Sequence, residues 1–396
     1  MRLVHLSDLH LGYRQYQRLT PGGINQREAD VAATFRAAID KIIALGPDLV
    51  LIAGDVFHTV RPTNQAILHA FMQFSRLARS LPGAKIVMVA GNHDTPRSSE
   101  TGGILRLFEQ IGITVVDTEA RILEFPDLEL SILAVPDVPT TTAPRLRLSG
   151  GSRFNVMIAH GEVQGMVAGH FVADRAALVI SRDDLSAGRW DYVALGHYHV
   201  YTEVASNAFF SGSIDYTSAD TWGELYEERQ ARISGKGFIE HDLLTGDHIF
   251  HALSPARPLI DLPPIRVARA TPATVDAQIR DAVASVPGGI DDKIVRLLVR
   301  DITRSVAREL DHKAIREYKR RALSFNLDLR APDMISREAT SGAPSRRPSL
   351  SEMVKEKLMT RPLDADIDRT ALVGRGLAYL DEAQLVALPP SAILES

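Results

Sequence analysis

Residues 2–12 read RLVHLSDLHLG, an apolar segment that runs directly into a polar loop. The same pattern returns in PDLVLIAGD over 47–55 and in KIVMVAGNHD over 85–94. Short, nearly continuous apolar runs of this kind are typical of buried strands in a parallel sheet. Segments with apolar residues at helical spacing alternate with these runs, so the sequence predicts an α/β layered domain.

The helical segments are predicted at 25–45, 62–80 and 98–111, where apolar residues recur every three or four positions. After residue 113 the pattern changes to short strands, which are TVVD, RILEF, LELSILAV, NVMIAH, DYVALGH and the FFSGS region. We expect these strands to form a second sheet packed on the first. The fold class predicted is therefore a four-layer α/β/β/α sandwich, interrupted by a Pro/Thr-rich loop at 136–145.

Proline punctuation near 254–264 indicates a boundary after a first domain that spans 1–255. Residues 256–330 alternate strand and helix patterns and are expected to form a small α+β unit. The segment 331–349 is rich in Ser, Pro and Arg and is predicted to be a linker. Two amphipathic helices are predicted in the remaining region, 350–396.

The composition excludes several classes of protein. The chain of 396 residues contains no cysteine, which excludes disulfide scaffolds, thiolate zinc sites and iron–sulfur clusters. The formal net charge is -4, so the surface as a whole is not a basic coat, although a local basic patch remains open. No apolar run approaches the roughly 18 residues of a membrane span, so we expect a cytoplasmic protein without membrane association.

Five short motifs carry side chains that can ligate a metal. They are Asp8-Leu-His10, Gly54-Asp55, Gly91-Asn92-His93-Asp94, Ala159-His160 and Gly196-His197-Tyr-His199. Each motif ends a predicted strand, where α/β sheets build their functional sites. One such histidine alone would more simply be a core residue, but five motifs in order predict a site. Mixed carboxylate, amide and imidazole ligands suit Mn²⁺, Fe²⁺ or Zn²⁺ and, with two ions, chemistry on a phosphoryl group.

These motifs resemble the signature of the calcineurin-like metallophosphoesterase superfamily over residues 1–255. Within that superfamily the chain resembles the SbcD-type DNA repair exonucleases. The segments that carry this closer resemblance are HLSDLHLG at 5–12, GDVFH at 54–58, GNHD at 91–94 and SGSIDYTS at 211–218. His58 discriminates here, because general phosphoesterases of the superfamily commonly lack a histidine three residues after the equivalent of Asp55.

The resemblance implies a role for each residue of the motifs. The ligands of a first metal ion would be Asp8, His10 and His199. The ligands of a second ion would be Asn92, His160 and His197. Asp55 would bridge both ions, and His93 would act near the leaving oxygen as a general acid or transition-state stabiliser. Asp94 would orient His93, and His58 would contact the phosphate or help to position the strand.

The resemblance also implies a function with its cofactors and partners. It implies hydrolysis of DNA phosphodiesters with two Mn²⁺ per chain, or with Fe²⁺, Zn²⁺ or Mg²⁺. The activities would be 3′-to-5′ exonuclease on duplex ends and endonuclease on single strands, in double-strand break repair at the nucleoid. The α+β unit would be a DNA-binding cap, and 350–396 would bind an SbcC-type, SMC-like ATPase. Helices 62–80 and 98–111 would join two copies into a homodimer, unless they are buried within the monomer.

Other interpretations remain open from the sequence. The chain could be a phosphodiesterase or phosphatase for small substrates such as cyclic nucleotides, although His58, the cap and the helical tail argue against it. It could be a non-catalytic protein that binds DNA ends, although such a protein would not need all seven ligands. The basic residues from Arg300 to Arg321 could bind phosphates or form a solvated face, since acidic residues lie among them. The tail helices could pack back on the cap.

Overall fold

The computed structural model describes residues 1–96, 103–139, 146–147, 152–166, 176–187, 190–332, 350–360 and 368–386. The chain divides into two compact units, Met1–Pro332 and Asp333–Ser396. The strands are β1 (Arg2–Leu6), β2 (Leu49–Ala53), β3 (Lys85–Val89), β4 (Thr114–Val116), β5 (Arg121–Phe125), β6 (Leu130–Val135), β7 (Phe154–His160), β8 (Glu162–Val163), β9 (Val179–Ile180), β10 (Tyr192–Gly196), β11 (Thr202–Ala205), β12 (Ala208–Phe210), β13 (Gly237–Asp242), β14 (His248–Ala252), β15 (Leu259–Arg266), β16 (Ile294–Arg300) and β17 (Ser324–Leu329).

Helices cover the sheets of the first unit and form the described part of the second. The α-helices are α1 (Gln26–Leu45), α2 (Asn64–Ser80), α3 (Arg182–Ala187), α4 (Thr221–Ala231), α5 (Pro272–Ala284), α6 (Arg304–Arg308), α7 (His312–Arg321), α8 (Leu350–Thr360) and α9 (Arg369–Val386). Two 3₁₀ segments span Ile104–Ile111 and Pro126–Leu128. Among the described residues, no helix combines the length and the apolar character that a bilayer crossing requires.

Two six-stranded sheets form the centre of the first unit. Their strand orders are β14-β13-β1-β2-β3-β4 and β11-β12-β10-β7-β6-β5. The run β1-β2-β3-β4 is parallel, and so is the run β6-β7-β10-β12. The carboxyl ends of neighbouring strands therefore meet at one edge of each sheet, which is where the loops can share a site.

The continuous apolar sequence of β2 follows from burial on both of its faces. Val50 and Ile52 belong to the core beneath the helices, whereas Leu49 and Leu51 belong to the core between the sheets. Successive residues of a strand point to opposite faces, so a central strand covered on both sides needs apolar residues throughout.

The predicted four-layer α/β/β/α order is confirmed. Helix α1 buries its apolar stripe on the first sheet, and the outer face of the second sheet packs against Leu185 of α3 and Trp190. Helix α1 begins after Asn25, whose side chain accepts a hydrogen bond from the Arg27 amide, and ends at Gly46 with φ 60°. Both are common ways to end an α-helix.

Two details differ from the sequence prediction, and one further strand pairing was not predicted. Strand β4, the TVVD segment, pairs with β3 in the first sheet rather than joining the second. The β13–β14 hairpin extends the first sheet by antiparallel pairing with β1. The segment predicted as a helix at 98–111 is a 3₁₀ helix over its described part, Ile104–Ile111, and residues 97–102 lie outside the described residues.

A three-stranded parallel sheet, β15-β16-β17, follows the sandwich within the same compact unit. It has a hydrophobic core of its own, to which Val275, Ile279, Leu297 and Phe325 contribute. The α+β unit predicted at 256–330 corresponds in sequence to this sheet and its helices, and its separation as a domain stays a prediction. The predicted linker lies outside the described residues from 333 to 349. In the second unit, α8 and α9 contact each other, and the Arg369 guanidinium donates to carbonyl oxygens at the end of α8.

Candidate metal centre

Loops from both sheets bring the predicted ligands together. Asp8 and His10 follow β1, Asp55 follows β2, and Asn92 follows β3 in the first sheet. The second sheet contributes His160 at the end of β7 and, after β10, His197 and His199. Five of the seven side chains are buried, and these are Asp8, His10, Asp55, His160 and His197. The site therefore exists only where the two sheets face each other.

The ligand loops have unusual backbone conformations. The φ angles of Asp8, His10, Asp55 and His197 are 52°, 44°, 51° and 112°. Residues with side chains rarely adopt positive φ, and such strain is concentrated at functional sites. Hydrogen bonds between the loops hold this conformation, because the Asp8 and His10 amides donate to carbonyl oxygens of the loop after β2, at 3.0 and 2.9 Å.

Glycines in two motifs allow the close approach of the loops. A Cβ atom on Gly91 would lie 2.1 Å from an Asp55 carboxylate oxygen. A Cβ on Gly196 would lie 1.8 Å from the Ala53 carbonyl oxygen. Any larger side chain would push these loops apart, so the glycines are part of the construction of the site.

Two overlapping groups of ligand atoms lie within coordination reach of a cation. One atom each from Asp8, His10 and His199 form a group within 4.8 Å of one another, and so do atoms of Asp8, Asp55 and His160. The Nε2 atoms of His10 and His199 are 3.0 Å apart. Asp55 Oδ2 lies 3.6 Å from Nε2 of His10 and 3.6 Å from Nε2 of His160. Asp55 is thus central to the set.

The amide of Asn92, from the first sheet, contacts a ligand of the second sheet. Its Oδ1 lies 3.0 Å from Nε2 of His160. The other ring nitrogen of His160 contacts the Ala53 carbonyl oxygen at 2.9 Å, which makes Nδ1 the donor there. Because Nδ1 carries that proton, the neutral form of His160 directs the lone pair of Nε2 toward Asn92 and Asp55.

His197 supplies a direct test of whether the residues fit a metal ion. Its Nε2 is buried and has no hydrogen-bond partner among the residues that the structure describes. A Glu162 oxygen lies 3.8 Å away, beyond hydrogen-bond distance. Burial, together with nearby His160, lowers the pKa of His197 to about 3, so the imidazole is neutral and offers a lone pair. Buried polar atoms are normally satisfied, so this atom fits the role of a metal ligand.

The electrostatics of the centre also fit a divalent cation. Burial raises the pKa of Asp8. Burial and neighbouring histidines lower the pKa of His10 well below its usual value. Burial alone would lower the pKa of His160, but the charges of Asp55, Asp8 and Asp137 raise it to about 9. The carboxylates thus favour positive charge at the centre of the site, and their oxygens together with the imidazole nitrogens suit Mn²⁺, Fe²⁺ or Zn²⁺.

His58 and His93 lie beside these ligands. Their ring nitrogens and one of His10 lie within 4.8 Å of one another, and the His58 and His93 rings stack with centroids 5.4 Å apart. The His93 amide donates to Asp55 at 2.9 Å. His93 Nδ1 contacts the His58 carbonyl oxygen at 2.7 Å. A carbonyl only accepts, so Nδ1 is the donor in this contact.

Asp94 has a different role from the one expected. The family resemblance implies that Asp94 orients His93, but His93 Nδ1 is paired with the His58 carbonyl oxygen. The Asp94 carboxylate instead accepts hydrogen bonds from three backbone amides in the loops after β2 and β3, at 3.0 to 3.1 Å. Burial and the nearby charge of Asp55 raise the pKa of Asp94 to about 7. Asp94 therefore fixes the loops and acts on His93 only through them.

Comparison with known proteins identifies the family. A sequence model described as "Calcineurin-like phosphoesterase" matches residues 1–201, just over half of the chain. The chain belongs to the calcineurin-like phosphoesterases. The matched region contains all seven predicted ligands together with His58, His93 and Asp94.

This phosphoesterase is also similar to archaeal proteins named DNA double-strand break repair protein Mre11. The protein of Methanocaldococcus jannaschii is 35% identical over 128 residues, which cover 32% of this chain and 31% of the relative. The protein of Sulfurisphaera tokodaii is 29% identical over 208 residues, 50% of this chain and 49% of the relative. That of Thermoplasma acidophilum is 27% identical over 262 residues, 62% of each chain. The matches thus span about a third to three fifths of these relatives.

Several residues of the phosphoesterase centre carry no sequence motif. Glu224 of α4 accepts a hydrogen bond from His199 Nδ1 at 2.9 Å, and Lys236 is buried beside it. Asp137 accepts from two backbone amides, 2.8 Å each, in the segment before β9. These residues lie far from the motifs along the chain, and a single Glu in a helix or Lys in a loop gives no local signal. Only their burial in the fold reveals them.

A cleft of about 540 Å³ opens onto the centre of this phosphoesterase. The ligands that line it are His10, Asp55, Asn92, His197 and His199, together with His58 and His93. Tyr13, Arg14 and Tyr198 also line the cleft, and Asp220 and Glu227 do so from the side of α4. Around the predicted ligands, the cleft therefore presents the Arg14 guanidinium, aromatic rings and carboxylates to a substrate.

Proposed function

We propose that this phosphoesterase is a two-metal, Mn²⁺-dependent DNA nuclease that acts in double-strand break repair. The observation that carries the proposal is that five of the seven predicted ligands, from both sheets, line one cleft that also contains His93, while Asp8 and His160 lie buried within coordination reach of ligands in that cleft. The names of its relatives support DNA as the substrate. The proposed activities are 3′-to-5′ exonuclease on duplex ends and endonuclease on single strands, in the cytoplasm at the nucleoid.

The first proposed ligand set is the group formed by Asp8, His10 and His199, and the second is the set that the family resemblance implies. One ion would be held by Asp8, His10 and His199, and the other by Asn92, His160 and His197, with Asp55 between them. Bound divalent ions would supply a water nucleophile at neutral pH and offset negative charge on the phosphate. The strained, hydrogen-bonded loops would keep the ligands in place before substrate arrives, and such preorganisation avoids reorganisation during the reaction.

His93 is proposed as the residue that transfers a proton to the leaving oxygen. Its Nδ1–H donates to the His58 carbonyl oxygen, and its amide donates to Asp55, so ring and backbone are both held. The remaining ring nitrogen, Nε2, is the atom that can give or take a proton. The His58 ring lies between Tyr13 and His93, with centroids 4.9 and 5.4 Å away, and would keep His93 oriented in the cleft.

The proposed partners correspond to exposed surfaces. The cap carries exposed basic residues that would bind the DNA backbone, and these are Arg300, Arg304, Arg308, Lys313, Arg316 and Lys319. On α2, Leu68 and Met72 are each 57% exposed, and we propose this face for a homodimer contact. Helices α8 and α9 expose Met353, Met359 and Tyr379, which an SbcC-type ATPase would cover.

The test of the proposed function is cleavage by the purified full chain. Duplex DNA, hairpin DNA and a cyclic nucleotide would each be incubated with Mn²⁺, with Mg²⁺ or with EDTA. We expect cleavage of DNA with Mn²⁺ and none with EDTA. Cleavage of the cyclic nucleotide but not of DNA would favour a small-substrate phosphodiesterase. DNA binding without cleavage in any metal would favour a non-catalytic DNA-end protein.

A further inference from the structure

Glu224 and Lys236 hold His199 at both its side chain and its backbone. Glu224 Oε1 accepts a hydrogen bond from His199 Nδ1 at 2.9 Å. Lys236 Nζ donates to Glu224 Oε2 at 2.6 Å and to the His199 carbonyl oxygen at 2.7 Å. Lys236 is 2% exposed and Glu224 is 8% exposed, so water competes little for these contacts.

This arrangement determines which nitrogen of His199 faces the metal centre. A carboxylate beside a lysine ammonium is an acceptor only, so Nδ1 must carry the proton that Glu224 binds. The lone pair of the neutral ring is then on Nε2, the atom 3.0 Å from Nε2 of His10 and in one group with Asp8. Carboxylates that bind the second nitrogen of a ligating histidine fix its orientation and make it a stronger ligand.

We propose that Glu224, held in place by Lys236, is a positioning residue that sets the affinity of the ion bound through His199. The inference rests on the proposed function, because it needs a metal at Asp8, His10 and His199. Glu224 acts through His199 and not on the substrate, although it is among the residues that line the cleft. Its position on α4 places it outside every motif of the family signature quoted above.

Glu228 provides a matched control on the same helix. It also pairs with Lys236, at 3.1 Å, and accepts from the Tyr216 hydroxyl at 2.6 Å. It is 2% exposed, so the loss of its charge perturbs the same buried ammonium as the loss of the Glu224 charge does. Glu228 has no contact with His199, and therefore a purely structural role of the acidic residues would give Glu224→Gln and Glu228→Gln the same phenotype.

The test measures Mn²⁺ binding to the full chain rather than cleavage. Metal-free wild type, Glu224→Gln and Glu228→Gln would be titrated with Mn²⁺ by calorimetry, and the loaded proteins examined by electron paramagnetic resonance. We expect Glu224→Gln to lower the affinity for one of the two ions by about 10–100-fold, the usual effect of losing a residue that orients a metal ligand. Its spectrum should change from that of a coupled pair to that of a single ion, whereas Glu228→Gln should keep the wild-type affinity and spectrum.

Two further arms keep the result decisive. Glu224→Asp retains the negative charge beside Lys236 but moves the carboxylate oxygen away from His199. It should also lower the affinity for one ion. This variant covers the case that Glu224→Gln does not fold. Tight binding of two ions and a coupled spectrum in a folded Glu224 variant would overturn this inference and leave the proposed function standing. Equal weakening in the Glu228→Gln control would overturn it as well. A wild-type chain that binds no Mn²⁺ would overturn the proposed function and this inference together.

Discussion

At the scale of single residues, Asp55 connects the two halves of the centre. One of its oxygens accepts the His93 amide, and the other lies at equal distances of 3.6 Å from two imidazoles, one from each sheet. A carboxylate in that position can serve two cations, whereas an amide of the same size cannot supply the negative charge.

We predict that Asp55→Asn loses both metal ions, because the shared carboxylate is gone while the side-chain volume is kept. Metal analysis of the purified variant after loading with Mn²⁺ should show less than about one ion per chain. Asp127→Asn is the control, since Asp127 is exposed and pairs with Lys85 away from the centre. Two ions bound to Asp55→Asn would remove Asp55 from the bridging position.

His93 is expected to affect the reaction and not the metal. His93→Gln removes the ring that we propose to transfer a proton but leaves the predicted ligands in place. Cleavage should fall by about 10²–10⁴-fold, the usual contribution of a general acid or base. Metal content and DNA affinity, measured on the same preparation, should match wild type. Loss of an ion from this variant would instead make His93 a ligand.

His5 couples the stability of the fold to pH. Its ring nitrogens lie 3.1 Å from the Tyr192 hydroxyl and 3.1 Å from the Leu195 carbonyl oxygen, between the sheets. Burial lowers the pKa of His5 to about 3. In the unfolded chain the pKa of His5 is about 6.5. Between about pH 6.5 and about pH 3, the unfolded chain therefore binds a proton at His5 and the folded chain does not. The contribution of neutral, buried His5 to the free energy of unfolding is complete above about pH 6.5 and is lost progressively as the pH falls below that value.

The predicted size of this effect is about 2 kcal/mol at pH 5, from the unfolded-state pKa alone. Urea unfolding of the metal-free protein at about pH 8 and pH 5 would measure the difference in the free energy of unfolding. His5→Gln, which retains a donor and an acceptor, should reduce that difference by about 2 kcal/mol. An unchanged difference would show that His5 titrates alike in both states.

The residues of the centre that could be predicted from sequence are those that follow strands in tight motifs. Asp8 and Asp55 can be placed together because neighbouring parallel strands end at one edge, His160 is associated with them by the set of five motifs, and the structure brings the three within 4.8 Å. Glu224 could not be found this way, since it reaches the centre only through the packing of α4. Asp94 was found but misassigned, because the spacing shows proximity to His93 and not which donor its carboxylate binds.

At the scale of elements, two arginines join the three-stranded cap sheet to the sandwich. Arg257 binds both carboxylate oxygens of Asp30 in α1, at 2.7 and 3.0 Å, and also donates to the Asp292 carbonyl oxygen before β16. Arg18 donates to the carbonyl oxygens of Arg320 and Ala322 at the end of α7, at 2.8 and 2.9 Å. A cation at that end of a helix complements the helix dipole.

We predict that Arg257→Ala loosens the cap. The variant loses bidentate, charge-assisted hydrogen bonds to a buried carboxylate, so the free energy of unfolding should fall by about 2 kcal/mol. Hydrogen exchange should rise in β15, β16 and β17 more than in β1 and β2. Arg330→Ala is the control, because its pair with Asp328 is exposed, and it should change stability by less than about 0.5 kcal/mol. Equal exchange in both sheets would mean that Arg257 does not anchor the cap.

The element boundaries that sequence patterns predicted best were those with strong periodicity. Helix α1 begins one residue after the predicted start and ends at the predicted residue, because Asn25 and Gly46 mark its ends. Strand β4 has only three residues, Thr114–Val116, and so short an apolar run does not encode which sheet it joins. The antiparallel addition of β13 beside β1 depends on contacts between residues more than 230 positions apart, such as Arg2 and Asp242, which no local pattern contains.

At the scale of the whole molecule, every predicted ligand lies in the first compact unit, before residue 200. We predict that deletion of residues 345–396 leaves the proposed Mn²⁺-dependent nuclease activity largely intact and abolishes association with the proposed ATPase partner. The deleted region contains α8 and α9 but no residue of the centre. The measurements are cleavage of duplex DNA by the truncated chain and co-purification with an SbcC-type ATPase from the same genome. Continued tight association would move the partner site elsewhere, and lost cleavage would show that the tail supports the centre.

The position of β1 in the middle of its sheet has a consequence for synthesis on the ribosome. Asp8 and His10 emerge before the other predicted ligands, but their strand is flanked by β2 and by β13, and the last predicted ligand is His199. Lys236 and β13 follow later still. A nascent chain therefore has no complete centre until most of the first unit has left the exit tunnel. Phosphoester cleavage at this centre can therefore begin only after that point in synthesis.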